Sequence, residues 1–267
     1  MGNVYTHGHH ESVLRSHRWR TADNSAGYLL PRLHPGMRLL DVGCGPGTIT
    51  MDLADLVGLT GRVTALERTG DALDLARAEA QRRGTANVEL VTGDVSALAL
   101  PDDSCDVGHA HQVLQHVDDP VLALREMRRV CRPGGTVAVR ESDYSAFTWF
   151  PAVPELDRWL EVYLEVARSN AAEPDAGRRL LSWANAAGFS AVTAGSNTWC
   201  YASPEDRAWW GGLWADRVVG SALAEQAVER GIATAAELAE VAAGWRRWAA
   251  HDDGWFSVLH GEVLATP

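Results

Sequence analysis

Leu39-Leu40-Asp41-Val42-Gly43-Cys44-Gly45-Pro46-Gly47-Thr48 decides the fold of this chain. Its first half is a short apolar run, the pattern of a buried strand, and its second half is a glycine loop. From Pro46 to Val57 the apolar residues Ile49, Leu53, Leu56 and Val57 fall at helical spacing. Glycines at such a turn let the backbone bend tightly and let a ligand approach without a Cβ in the way. The helix that follows offers unpaired N–H groups at its start. Strand, glycine loop and helix together make a nucleotide-sized site at the carboxyl edge of a sheet. The spacing separates ligands: a dinucleotide fingerprint is G-x-G-x-x-G. Here it is G-x-G-x-G, Thr48 fills the third-glycine slot, and Asp41 is foreign to the dinucleotide pattern.

Outward from this stretch the chain alternates. Strands are predicted at Arg62–Glu67, Asn87–Thr92, Asp106–His111 and Thr136–Glu141, with helices at Asp71–Arg83 and from Asp119-Pro120 to about Val130. Gly84 suits a helix C-cap, and Pro133-Gly134-Gly135 stops the later helix. Alternation at these lengths means βαβ units and a parallel sheet covered on both faces. Beyond Phe150 the rhythm breaks. Helices are predicted at Pro154–Arg168 and Pro174–Ala187, then a strand over Phe189–Cys200. Ser203 with Asp206 and Thr234 with Glu237 read as helix-start signals, so 203–250 is an all-helical insertion before a last strand at Trp255–Leu264. The expected organisation is an N-terminal helical arm over 1–35 and one α/β domain over 36–267 that includes the insertion. The fold class is a doubly wound, Rossmann-like sheet of seven strands, the last antiparallel.

The segment Asp41–Gly47, DVGCGPG, resembles the first motif of the class I S-adenosylmethionine-dependent methyltransferases. Gly93-Asp94-Val95 after the third strand and Arg132-Pro133-Gly134-Gly135 before the fifth are similar to later motifs of that family. Val113-Leu114-Gln115-His116-Val117-Asp118-Asp119-Pro120 resembles its ubiquinone/menaquinone-biosynthesis subgroup. The resemblance spans residues 36–142. It implies a cofactor loop of Asp41, Gly43, Cys44, Gly45 and Gly47. It also implies Glu67, with Arg68 beside it, on the ribose hydroxyls, and Asp94, between Gly93 and Val95, at the adenine. His111 ends the strand expected to run under the cofactor. S-adenosylhomocysteine would be the product.

Composition limits the chemistry. The formal charge is −11, from 24 basic and 35 acidic residues, and every basic residue is Arg. A chain without Lys cannot form Schiff bases or clamp phosphate in a P-loop. The acidic balance argues against a nucleic-acid partner, and no Asn/Asp-Pro-Pro-Tyr type motif follows the fourth strand, where His109-Ala110-His111-Gln112 stands. Four Cys at 44, 105, 131 and 200 form no CxxC pair, which suits a reduced, cytoplasmic protein. No apolar run is long enough to span a bilayer, so no membrane partner is expected. A monomer or homodimer is the expected state.

His7, His9 and His10 cluster near the N-terminus, and His109, His111 and His116 near the fourth strand, with no metal-ligand spacing, so no metal is assigned. By period two, His109 and His111 share a strand face, and one of them can be a hydrogen-bonded core residue. His116 and Glu141 are the catalytic candidates. A neutral imidazole can accept the acceptor's proton, and Glu141 stands at the carboxyl end of the fifth strand; bracing the next helix is the alternative for His116. The arm from Tyr5 to Arg20 is expected to close over the methionine end of the cofactor, with Tyr5 lining it and Arg18 meeting the carboxylate. Gln112, Asp143, Phe147, Trp149, Phe150 and Trp210 are the candidate substrate contacts. Ten of the eleven Trp lie at or beyond Trp149 and read either as core anchors or as an aromatic wall around the acceptor.

These readings converge on transfer of the S-adenosylmethionine methyl group to a small, largely apolar acceptor, in secondary (natural-product) or quinone-like metabolism. Two alternatives stand beside it: the same cofactor bound for a reaction other than methyl transfer, and a dinucleotide-dependent oxidoreductase.

Overall fold

Helices α1 (Glu11–Arg18) and α2 (Ala22–Ala26) precede the first strand. Thr21 caps α2 in a reciprocal box with Asn24. Strands β1 (Arg38–Val42), β2 (Arg62–Glu67), β3 (Val88–Thr92), β4 (Cys105–His111) and β5 (Cys131–Ser142) then alternate with α3 (Thr48–Val57), α4 (Gly70–Arg83) and α5 (Pro120–Val130). Asp119 starts α5 by accepting from the Leu122 amide, with Pro120 at the first helical position. After β6 (Thr148–Phe150) come α6 (Pro154–Ser169), α7 (Ala176–Ala187) and β7 (Ala191–Tyr201). The insertion is helical as predicted: α8 (Pro204–Gly220), α9 (Ala222–Glu229) and α10 (Ala235–Ala250), followed by β8 (Trp255–Thr266). Ser203 caps α8 and the Thr234–Glu237 box caps α10.

The computed structural model describes residues 11–267. Among the described residues the sheet has eight strands in the order β3-β2-β1-β4-β5-β8-β6, with β7 beside β8. The strand missing from the sequence reading is β6, whose three residues are too few to show a period. Pairings from β3 through β5 are parallel, and β6 runs antiparallel to β8. Strand order reverses at β1, which has β2 on one side and β4 on the other. That is the switch point outside which ligands bind in such sheets.

The described residues group into two compact units. Unit one comprises those as far as Ser16, with Ser142–Asp175 and Thr198–Leu259. Unit two comprises His17–Glu141, Ala176–Asn197 and His260–Pro267.

Unit two packs aliphatic side chains on both faces of its strands. Leu40, Val42, Ala110 and Val139 of the strands lie on one side, with Leu124 and Met127 of α5 and Leu180 and Ala184 of α7. Leu39, Val63 and Val107 lie on the other, with Ala22 and Ala26 of α2 and Leu53 and Val57 of α3.

Unit one is built on rings. Trp159, Trp214, Trp245, Trp248, Tyr163 and Phe256 are all fully buried. Trp159 meets Trp214 and Trp245 edge-on at 4.6 and 4.9 Å between centroids. The helices approach closely because glycines face them: a Cβ on Gly211 of α8 would lie 2.7 Å from the Ala249 Cβ of α10, and one on Gly244 of α10 would collide with Glu155 of α6. The core reading of the tryptophans therefore holds for this group.

Candidate active site

Unit two brings the glycine loop and the ends of β2 and β3 together. Gly43, Gly45 and Gly47 have φ of +69°, +52° and +82°, a region that L side chains rarely adopt. A Cβ at Gly43 would strike Val113, and one at Gly47 would lie 3.1 Å from Ala76 of α4. At Gly45 the same Cβ would meet nothing within 4 Å, so the loop is open there. The Gly43 and Cys44 amides both donate to the Leu66 carbonyl, at 2.8 and 3.1 Å. The Glu67 carboxylate accepts from the Gly45 amide at 3.1 Å and from the Arg68 amide at 2.8 Å. Gly93 donates to the Glu67 carbonyl at 3.0 Å. Asp94 is exposed and accepts from the Ser96 amide at 2.8 Å.

Other predicted contacts turn inward. Asp41 is buried, with one carboxylate oxygen 2.5 Å from Thr50 Oγ1 and the other 2.7 Å from His109 Nδ1. Its side chain ties β1 to α3 and β4, so it shapes the loop instead of meeting a ligand. His109 is the hydrogen-bonded core histidine of the pair. The Cys44 thiol packs with Ala65, Leu73 and Ala76, and burial beside Asp41 raises its pKa. Val95 packs in the α5-side core with Leu66 and Leu98. His111 is buried with its ring 6.1 Å from that of His260, and burial, then Arg20, holds its imidazole well below the ordinary range.

Glu141 is corrected from catalytic acid–base to brace. It is fully buried, and its oxygens accept from the Val113 and Leu114 amides at 2.8 and 2.6 Å, and more weakly from Gln115 at 3.4 Å. Burial pushes its carboxyl up to about 8, while these three amides pull the other way. It thereby fixes the turn Leu114–His116. His116 Nε2 is 3.0 Å from Nε2 of the Gln115 side chain. Burial, helped by Arg20, pushes its imidazole down to about 4. So low a value makes it a weaker base than a catalytic group tuned near 7.

Arg20 is a cation at this edge. Arg18 is exposed at the end of α1. Arg20 Nη2 donates to Gln112 Oε1 at 2.5 Å, and its charge bears on His111, His116 and Glu141. The arm is held there because Thr48 donates to the His17 carbonyl at 3.2 Å and Asp52 accepts from the Ala22 amide at 2.8 Å. Tyr5 and the His7–His10 cluster lie outside the described residues. Among the described residues no group of His, Cys, Asp and Glu could hold a metal ion, and no helix is long and apolar enough to cross a membrane.

A family model described as a methyltransferase domain matches residues 33–188. The chain belongs to that family. It is a class I, S-adenosylmethionine-dependent methyltransferase. An uncharacterized methyltransferase of Schizosaccharomyces pombe is 32% identical over 269 residues, 97% of this chain and 95% of the relative. A demethylmenaquinone methyltransferase of Lactococcus lactis is 31% identical over 130 residues, 49% of either chain. Among solved structures, the YcgJ protein of Bacillus subtilis shares the fold with a TM-score of 0.60 at 17% identity, over 91% of this chain and 97% of that one.

The methyltransferase's loop fits its cofactor: the space at Gly45 and the partly exposed Glu67 carboxylate suit a ribose with its hydroxyls. The remaining predicted substrate contacts lie in unit one. Asp143 is buried, its amide donating to the Leu259 carbonyl at 3.0 Å. Phe147 packs on Tyr144 at 4.5 Å, and Trp149 stacks on Phe256 at 5.6 Å. Trp210 is buried and stacked on Tyr201 at 4.3 Å, which makes it a core ring. Phe150 is 57% exposed on β6, opposite Trp255. Gln112 alone sits in unit two, between Arg20 and His260. Sequence reasoning missed Arg20 and His260 because neither belongs to a motif. The one available signal for Arg20 is its place beside the Thr21 helix cap.

Proposed function

We propose that this methyltransferase acts in the cytoplasm on a small, largely apolar acceptor of secondary or quinone-like metabolism. The observation that carries the cofactor half is the Glu67 carboxylate at the end of β2, already hydrogen-bonded to the Gly45 amide of the open loop. Glu67 would hold the ribose hydroxyls, the Gly93–Val95 turn the adenine, and Arg20 the methionine carboxylate. When bound, the cofactor supplies an electrophilic methyl group on a sulfonium. Glu67, the Gly93–Val95 turn and Arg20 would fix the orientation of the cofactor toward the acceptor. An anionic acceptor is neutralised as the bond forms, so orientation and dryness are the main requirements. His116 contributes a neutral imidazole that positions the acceptor. The acidic charge supports a small-molecule acceptor over a nucleic acid. Free thiols at Cys44, Cys105, Cys131 and Cys200 support a reducing compartment.

The test is to incubate the protein with S-adenosylmethionine and a panel of phenols, quinols and amines, and to measure S-adenosylhomocysteine with the methylated product. Formation of both supports methyl transfer to that class. An acceptor converted to an unmethylated product, with no homocysteine compound formed, overturns it.

A further inference from the structure

We propose that Gln112 is the positioning residue that aims the Arg20 guanidinium at the carboxylate of the cofactor. The proposal rests on the cofactor placement above.

Gln112 follows the last residue of β4 at φ +56°, a left-handed conformation that costs a non-glycine residue about 1 kcal/mol or more. Its amide donates to the Arg140 carbonyl at 2.8 Å, which pins the backbone there. Glycine would take this φ without strain, so the side chain has to account for the cost. It makes two bonds. Oε1 accepts from Arg20 Nη2 at 2.5 Å, and the amide nitrogen lies 2.9 Å from His260 Nε2.

The chemistry of the partners removes the usual ambiguity of an amide. A guanidinium only donates, so the atom facing Arg20 is the oxygen. The nitrogen must then donate to His260. Nε2 of His260 therefore carries the lone pair, and its neutral ring holds its proton on Nδ1. His260 is completely buried, so the ring that anchors the amide is itself fixed. The result is a one-way chain from Arg20 through Gln112 to His260. It links the N-terminal arm, the head of β4 and β8.

A neutral amide orients the cation without cancelling its charge, as a carboxylate at this position would. The charge stays directed at the edge where Arg20 acts on His111, His116 and Glu141. An α-carboxylate is the ligand group that a planar guanidinium recognises with two parallel bonds.

The test compares two ligands by calorimetry: S-adenosylhomocysteine, which has the carboxylate, and 5′-methylthioadenosine, which lacks the amino-acid end. Gln112→Gly keeps the backbone conformation and removes the amide; its melting temperature is measured alongside. We expect it to weaken S-adenosylhomocysteine about 5- to 20-fold and methylthioadenosine less than twofold. Gln112→Glu, which pairs with Arg20, should weaken S-adenosylhomocysteine more than Gln112→Gly does. Arg20→Met combined with Gln112→Gly should add little to Arg20→Met alone. An equal loss for both ligands, or no loss for either, overturns the proposal. Wild-type protein that binds neither ligand overturns the cofactor placement instead.

Discussion

The two units of the chain solve different problems with different residues. Unit two carries the glycine loop, the acidic strand ends and the polar group around Arg20, Gln112 and His260, over an aliphatic core. Unit one holds nine of the eleven tryptophans and no part of the glycine loop. The contrast is between directed polar groups on a few backbone positions in unit two and filled volume in unit one. Position is lost by a single misplaced atom. Volume is lost in proportion to what is removed.

Trp159→Ala tests the volume side and should have the largest effect. Its ring touches Trp149, Tyr163, Trp214, Trp245 and Phe256. Removing it should cost about 3–5 kcal/mol in urea unfolding. S-adenosylhomocysteine affinity of the folded protein should stay within about threefold. A large affinity loss would break the division of labour between the units.

Gly43→Val tests the position side. The φ of +69° and the collision with Val113 both oppose a side chain. Cofactor affinity should fall by about 100-fold or more as the loop moves. Calorimetry with near-normal binding would show that the loop adapts.

Glu67→Ala removes one directed group and leaves the loop backbone in place. Binding of S-adenosylmethionine should weaken by about 1.5–3 kcal/mol, the worth of charge-assisted hydrogen bonds. An unchanged dissociation constant would remove Glu67 from the ribose.

His116→Ala should have the smallest effect on catalysis, a loss of less than about tenfold, because a ring pushed down to about 4 is a poor base. A loss of about 10²–10⁴ would restore it as a general base. The same ring has a stability signature. The unfolded imidazole takes up its proton below about 6.5, the native one only near 4. Between these values the unfolded chain binds more protons, so stability falls as pH drops through the window. His116→Gln should flatten that part of the stability curve; an identical slope in both proteins would place His116 in a solvated setting.

The order of the elements was legible along the chain. Apolar runs alternating with helical periods encode β1 to β5, because buried strands and amphipathic helices obey different periods. The helix starts at Asp119, Ser203 and Thr234 were readable because capping is a local bond between residues three apart. The glycine loop and the acidic residues Glu67 and Asp94 were readable because they stand at strand ends, where position along the chain fixes position in space.

Only the tertiary structure decided what each polar group faces. Asp41 and Glu141 look like site carboxylates in the sequence, yet their oxygens are taken up by Thr50 and His109 and by the Val113–Gln115 amides. Arg20 differs from Arg18 because the direction of the chain after α1, not the residue type, carries one guanidinium to Gln112 and leaves the other exposed. His260 joins the site from 148 residues away along the chain. The physical reason is one of range. Periodicity and capping are set within a turn or two of chain. The burial of a charge and the choice of its partner are set by elements that meet only once the sheet has formed.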